Sequence, residues 1–339
     1  MSRQKKITIY QVAQQAGVAI STVSRVLNNS PNVSQATKDK VNEAIKNLNF
    51  RPQVSARNLA SRKPQMLAIA VPSFTTPYYT EVLKGVKDEI DDLDLDIVIY
   101  NTGSKNPEEG VENFFNRGTA DTIITISIDI TDTVHEQLQS SEIPIVLIGS
   151  SHPMYNYFEL NNRKGGFMAG EHVVKQGFKS MGMILPALKT KASFLRHQGF
   201  VDALREFKMP VEDKFFIRGE STKHAGFTEE AGFEAIYEFD KMGEFPEVIF
   251  CANDTLAIGA YHAISKLGLS IPDDIALMGY DNIKFTKYLD LTTVDQKMYS
   301  VGVEATKRLA QIIRSDDSHK VQKTIDPVLI PRGSTKRNS

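Results

Sequence analysis

From Met66 onward, apolar runs of four to six residues alternate with longer amphipathic stretches, and this alternation restricts the body of the chain to parallel sheets covered by helices. The runs are Leu67–Pro72, Asp96–Tyr100, Thr122–Ile126, Ile145–Ile148, Met183–Pro186, Val248–Cys251 and Ile275–Met278. They supply enough units for two such sheets. The 339 residues suffice for two or three domains, and apolar and charged fractions of 41% and 24% are those of ordinary globular protein rather than disordered or fibrous chain.

The longest apolar runs fall well short of the roughly 20 residues needed to cross a bilayer, so no membrane partner is expected. Ser2-Arg3-Gln4-Lys5-Lys6 is followed by an amphipathic polar segment where a secretion signal needs an apolar run, so the expected location is the cytoplasm. The single cysteine, Cys251, excludes an internal disulfide and a cysteine metal site, and reads as a small buried hydrophobe. The net charge of −1 hides an asymmetry: residues 1–63 hold 11 Lys and Arg against 2 Asp and Glu, a balance of +9, which leaves −10 for the rest. A basic head on an acidic body predicts that only the head meets a polyanion.

Within that head, Thr8-Ile9-Tyr10-Gln11 forms a capping box, and Val12, Ala13 and Ala16 continue a helical apolar face. Gly17 breaks the helix, Val18 returns to the core, and a second short helix over 19–28 turns Val23, Val26 and Leu27 inward, which is helix-turn-helix spacing. Ser34 caps a third helix whose Val41, Ala44, Ile45 and Leu48 recur at the spacing of one buried face. In such a motif the second helix enters the major groove. Its outward residues are Ile20, Ser21, Thr22 and Arg25; Arg25 suits a bidentate pair with guanine and Ile20 a thymine methyl. Thr8, Tyr10, Ser24 and Asn28 are placed for phosphates.

After Arg51-Pro52, the segment to Pro64 has the residues of a helix of about two turns, too short to be stable alone because nucleation is costly. It fits either a linker or a hinge helix formed on DNA, with Ala56 and Leu59 at the duplex and Leu59 wedged into a minor-groove step.

Thr8-Ile9-Tyr10-Gln11-Val12-Ala13, Ala16-Gly17-Val18, Ser21-Thr22-Val23-Ser24-Arg25-Val26-Leu27-Asn28 and Arg51-Pro52-Gln53-Val54-Ser55-Ala56-Arg57 together resemble the lactose/galactose repressor (LacI/GalR) family. The resemblance runs over nearly the whole chain. It departs locally at Ala19, where the family usually has a Ser capping the recognition helix. The division it implies is a helix-turn-helix domain over 1–51, a hinge helix and linker over 52–64, a two-lobed α/β body of the periplasmic-binding-protein type with two parallel sheets over 65–333, and a tail over 334–339. The last helix, Val301–Ile313, should return to the first lobe, and a ligand should sit between the lobes at the strand ends.

Several cleft residues follow from that resemblance. Arg196-His197-Gln198-Gly199-Phe200 resembles the Arg-x-x-Gly-Phe segment, and Arg196 would face ligand hydroxyls or an anionic group. Ala252-Asn253-Asp254 resembles the segment supplying a ligand-binding Asn, here Asn253. Gly279-Tyr280-Asp281-Asn282 resembles the loop whose Asp, here Asp281, accepts two sugar hydroxyls. Gln296 lies at the interlobe crossing, and Phe74 is a candidate for the apolar wall. Taken singly, Asn253 and Asp254 also fit helix capping, Asp281 a turn, Arg196 a surface ion pair and Phe74 the core. Joint occurrence at family spacing favours the site for Arg196, Asn253 and Asp281, while Phe74 and Gln296 fit either reading.

Gly149-Ser150-Ser151 stands where pyranoside-binding relatives often place an acid, Gly219-Glu220-Ser221 where they often place an aromatic, and the chain has no tryptophan. The usual stacking platform is missing. Tyr155, Tyr157 and Phe158 are candidates to replace it; otherwise the effector is smaller, phosphorylated or a protein. No phosphate loop, metal-spaced cluster or nucleophile elbow is present, and His197 beside Arg196 lacks an adjacent nucleophile, so neither an enzyme nor a cofactor is expected. The resemblance implies a repressor that binds a near-palindromic operator as a homodimer under control of a sugar or sugar phosphate. The alternative is a global catabolite-type regulator whose co-repressor is a phosphorylated carrier protein. The C-terminal residues carry no leucine heptad, so a dimer rather than a tetramer is expected.

Overall fold

The computed structural model describes residues 7–27, 30, 32–48, 50, 64, 66–93, 95–117, 120–141, 143–315 and 319–337. The chain divides into two compact units, Met1–Gln65 and Met66–Ser339.

The first unit holds three helices, α1 (Ile9–Ala16), α2 (Ile20–Leu27) and α3 (Gln35–Leu48). At the head of α1 the Thr8 N–H donates to Gln11 Oε1 at 2.9 Å, and the Thr8 hydroxyl donates to the same oxygen. Gly17 ends α1 at φ 66°, a left-handed conformation that a side chain would strain. Ala19 caps α2 with its carbonyl alone, accepting from Thr22 and Val23, so the hydroxyl cap of the family pattern is gone. Ser34 heads α3, its hydroxyl accepting from Thr37 N–H. Val12, Ala13, Val23, Val26, Val41 and Ala44 close a minimal core, with Val18, Leu27, Ile45 and Leu48 packed around it.

The second unit has two lobes. Lobe 1 is a six-stranded parallel sheet in the order β11-β5-β4-β3-β1-β2, built from β1 (Met66–Val71), β2 (Asp96–Asn101), β3 (Thr122–Ile126), β4 (Ile145–Ile148), β5 (Asn156–Leu160) and the late strand β11 (Gln322–Ile325). Alternation along β1 sends Leu67, Ile69 and Val71 to one face and Ala68 and Ala70 to the other. Both faces are covered, so the strand reads as one apolar run. The first face is covered by α4 (Pro77–Ile90) and by α11 (Met298–Ser315), the last helix, which returns to this lobe as expected. The second is covered by α5 (Pro107–Phe115) and α6 (Asp132–Ser141). Gly85 of α4 and Gly302 of α11 let the two helices meet backbone to backbone: a Cβ on Gly85 would overlap the Tyr299 carbonyl, and one on Gly302 the Val82 carbonyl. β2 lies at the edge of the sheet with Ile97, Val98 and Ile99 exposed.

Lobe 2 is a four-stranded parallel sheet, β7-β6-β8-β9, of β6 (Met181–Leu185), β7 (Phe216–Arg218), β8 (Val248–Cys251) and β9 (Ala276–Met278). It is wrapped by α7 (Asn162–Lys175), α8 (Lys191–Glu206), α9 (Glu229–Met242) and α10 (Asp254–Lys266). The chain crosses between lobes after β5, after the short β10 (Thr293–Asp295) and after β11, where β12 (Val328–Ile330) pairs antiparallel with β10. Of the residues after 333, expected to form a tail, Ser334 and Thr335 are instead built into lobe 2. Ser334 Oγ accepts from Thr292 N–H and donates to Leu277 O, and Thr335 bonds Thr292 and His172. Cys251 is fully buried on β8, and burial pushes its thiol up.

Candidate functional site

Two sites can be built from the residues upward, one in each unit. In the first, the helical period that buries Val23 and Val26 of α2 turns Ile20, Ser21 and Arg25 into solvent and leaves Thr22 and Ser24 at the margin. Tyr10 is 67% exposed and Thr8 is exposed beside it. This is a hydrogen-bonding face with one apolar residue on α2, Ile20, 41% exposed. Asn28, Ala56 and Leu59 lie outside the described residues.

In the second unit the strands of both lobes point their C-terminal ends into one cleft of about 380 Å³, within the range of about 300–1,000 Å³ that small-molecule sites span. Arg196, Asn253, Asp281 and Gln296 all line it. The Gly279–Asn282 loop places Asp281 at φ 119° and Asn282 at φ 58°, conformations that cost energy and persist only where surrounding contacts enforce them. Here the Asp281 N–H donates to Val294 O at 2.8 Å. Gln296 Nε2 donates to Asp281 Oδ1, and Arg196 stands 3.6 Å from the same oxygen. Arg196 is held in turn by Asn162 Oδ1 at 2.8 Å, by the Ala252 carbonyl at 2.7 Å and by the face of Tyr280. It is 5% exposed, which removes the surface-pair reading. Asn253 caps α10, accepting from Leu256 N–H at 2.9 Å, and also bonds Asp281.

Burial pushes the Asp281 carboxyl up to about 6, against the opposing pull of Arg196 and the hydrogen bonds from Gln296 and Asn253. Asp254, directly behind, is fully buried and is also pushed up by burial and by Asp281. It takes Thr293 Oγ1 at 2.7 Å and Ile283 N–H at 2.9 Å, a scaffold for the Asp281 loop rather than a ligand contact.

Phe74 does not line this cleft. It is 47% exposed beside a second, shallower depression, because the turn after β1 carries it outward. The aromatic wall comes instead from Tyr78 and Tyr79 at the start of α4, their rings edge to face at 4.9 Å, and from Phe227 in lobe 2. Tyr155, Tyr157 and Phe158 are elsewhere: Tyr155 Oη bonds His135, Tyr157 packs on the second face of the sheet, and Phe158 is core. His197 lies away from the cleft, its ring edge-on to Phe216. The sequence signal for the tyrosines was the Pro77-Tyr78-Tyr79 helix start, which directs the first turn of α4 at the strand ends.

Comparison with known proteins bears on both sites. Residues 8–53 match the family model of bacterial regulatory proteins of the lacI family, and residues 171–335 that of a periplasmic binding protein-like domain. The chain is 30% identical over 338 residues to the HTH-type transcriptional repressor PurR of Mannheimia succiniciproducens, covering 97% of this chain and 99% of that protein. It is 30% identical to catabolite control protein A of Priestia megaterium, covering 93% and 96%. A solved complex of the transcriptional regulator CelR with cellobiose superposes with a TM-score of 0.67 at 25% identity, over 97% of this chain and all of that one.

Proposed function

This chain belongs to the LacI family of bacterial regulatory proteins, and from that membership we propose a repressor that grips a near-palindromic operator as a homodimer, with a sugar-like effector in the cleft setting the strength of the grip. The family is one of transcription regulators, not enzymes. The observation that carries the reading is the outer face of α2, where Ile20, Ser21 and Arg25 stand in solvent while Val23 and Val26 hold the core. Charge attraction alone would need lysines; a face of one guanidinium, hydroxyls and one apolar group suits base edges.

In the cleft, Asp281, Asn253 and Gln296 offer acceptors and donors to hydroxyls beneath the walls of Tyr78, Tyr79 and Phe227. The cellobiose in the CelR complex is consistent with such a ligand. Dimer formation is supported by the exposed apolar residues of β2 in lobe 1 and of Phe285 and Tyr288 in lobe 2. The protein works in the bacterial cytoplasm, on the nucleoid when bound to its operator. Similarity to catabolite control protein A favours a second reading, a global regulator whose co-repressor is a phosphorylated carrier protein docking on the body.

The test is a titration of the purified protein onto DNA flanking its own gene, at fixed salt, with sugars, sugar phosphates and the phosphorylated carrier protein. Tight binding altered by one small molecule supports the first reading. Tight binding altered only by the carrier protein supports the second, and absence of specific binding defeats both.

A further inference from the structure

We infer that the effector carries an anionic group, held at the rim of the cleft between Lys105 of lobe 1 and Lys189 of lobe 2. The inference rests on the cleft being the effector site and names the chemical class of its occupant.

The floor of the cleft is electrically settled, since Asp281 has Arg196. The rim is not. Lys189 and Lys191 flank Thr190, the residue that caps α8, and the first turn of that helix has no acid. A helix N-terminus carries a partial positive charge and favours anions, so two lysines there raise the potential instead of offsetting it. Lys191 finds compensation across the cleft, at 3.2 Å from Glu159 and 3.8 Å from Asp129, both of lobe 1. Lys189 and Lys105 have no carboxylate partner among the described residues, although both line the cleft. Glu108, which also lines it, sits in the first turn of α5, where that helix end already offsets a carboxylate.

Two polar atoms point independently to a ligand in the same cleft, and to hydroxyls on it beside the anionic group. Among the described residues, Gln296, 2% exposed, has an Oε1 that accepts nothing, and the buried Thr76 hydroxyl at the head of α4 has no partner. Both residues line the same cleft. A buried acceptor left unmade is costly, and a hydroxyl donor on the ligand would satisfy it. The occupant that fits is a hydroxylated carbon skeleton with a phosphate or carboxylate at one end. Its anion would bridge lysines of opposite lobes, so its binding would favour closure.

The test uses the full-length protein and inorganic phosphate as probe, in thermal melts at constant ionic strength, for the native chain and for Lys105→Met/Lys189→Met. The expected result is a saturable rise in Tm of about 2–4 °C that falls by more than half in the double variant. Phosphate held by the basic head would survive both substitutions, so a rise that persists, or no rise at all, overturns the inference. Parallel melts with a hexose, its phosphate and the matching sugar acid separate the sources of the anion. Neutral sugar stabilising through Asp281 without any phosphate effect overturns the anion and spares the cleft. No stabilisation by phosphate or any sugar overturns both.

Discussion

The guanidinium of Arg196 lies 3.8 Å from the centre of the Tyr280 ring and 3.6 Å from Asp281 Oδ1, so one side chain neutralises a buried carboxylate while packed on an aromatic face. Removing it strands the carboxylate. Arg196→Met is expected to cost about 3–5 kcal/mol, read as a lower urea midpoint, and to abolish the effector response. Arg196→Lys keeps the charge but cannot reach Asn162, Ala252 and Asp281 together, and should restore stability only in part. Equal midpoints for native and Met variants would contradict this account.

If the effector sits on Asp281 as proposed, its binding is expected to depend on pH. With its carboxyl raised to about 6, the folded protein keeps a proton over a window where the unfolded chain has lost it. Ionising this group therefore costs stability as pH rises from about 4 to 6, and no further cost accrues above that. An effector whose hydroxyls donate to the carboxylate selects the ionised form. Affinity should fall by up to about tenfold per pH unit below 6, and Asp281→Asn should flatten the profile. Calorimetric titration across that range checks both.

Arg25→Ala is expected to weaken operator binding by about 1–3 kcal/mol and to relax preference at one base pair. Tyr10→Phe should weaken all sequences alike, as loss of a phosphate contact does. Fluorescence anisotropy on operator variants at one salt concentration separates the two patterns; uniform weakening by Arg25→Ala would place that residue on phosphate.

The contact of Gly302 with Val82 leaves no room for a methyl group. Gly302→Ala should force α11 away from α4 and cost about 1–3 kcal/mol, the usual price of overpacking. An unchanged denaturation midpoint would show that the two helices tolerate separation.

The edge strand β2 exposes Ile97, Val98 and Ile99, a hazard unless another chain covers it. Val98→Lys is therefore expected to shift sedimentation from dimer towards monomer at micromolar concentration. A dimer unaffected by that change would move the interface to other surfaces.

Legibility in the sequence tracked the strength of local signals. The three short helices and their core were readable because Val12, Val23, Val26 and Val41 keep strict period on polar segments. The apolar strands of both sheets were readable for the same reason. Strands β5, β7, β10, β11 and β12 were not: Asn156–Leu160 and Gln322–Ile325, for example, mix polar and apolar residues, and β11 is held as a strand by pairing with β5, far away in sequence. Of the cleft residues, Arg196, Asn253 and Asp281 were favoured by family spacing, while Gln296 fitted either reading. Tyr78 and Tyr79 did not, because which residue of a Phe-Thr-Thr-Pro-Tyr-Tyr run faces the cleft depends on where the turn ends and the helix begins. Ser334 and Thr335 look like tail residues, and only the distant Thr292 reveals their role.

The return of α11 and β11 to lobe 1 has a consequence in time. The sheet begun at Met66 receives its second covering helix, α11, and its edge strand β11 only after all four strands of the lobe 2 sheet have been made. Synthesis runs from the N-terminus, so the nascent chain can form the four-stranded sheet of lobe 2 while it still carries lobe 1 with the face of Leu67, Ile69 and Val71 partly bare. A message truncated after Gln296 would yield a DNA-binding head on a body that cannot close, a natural target for chaperones and proteases rather than a weaker repressor.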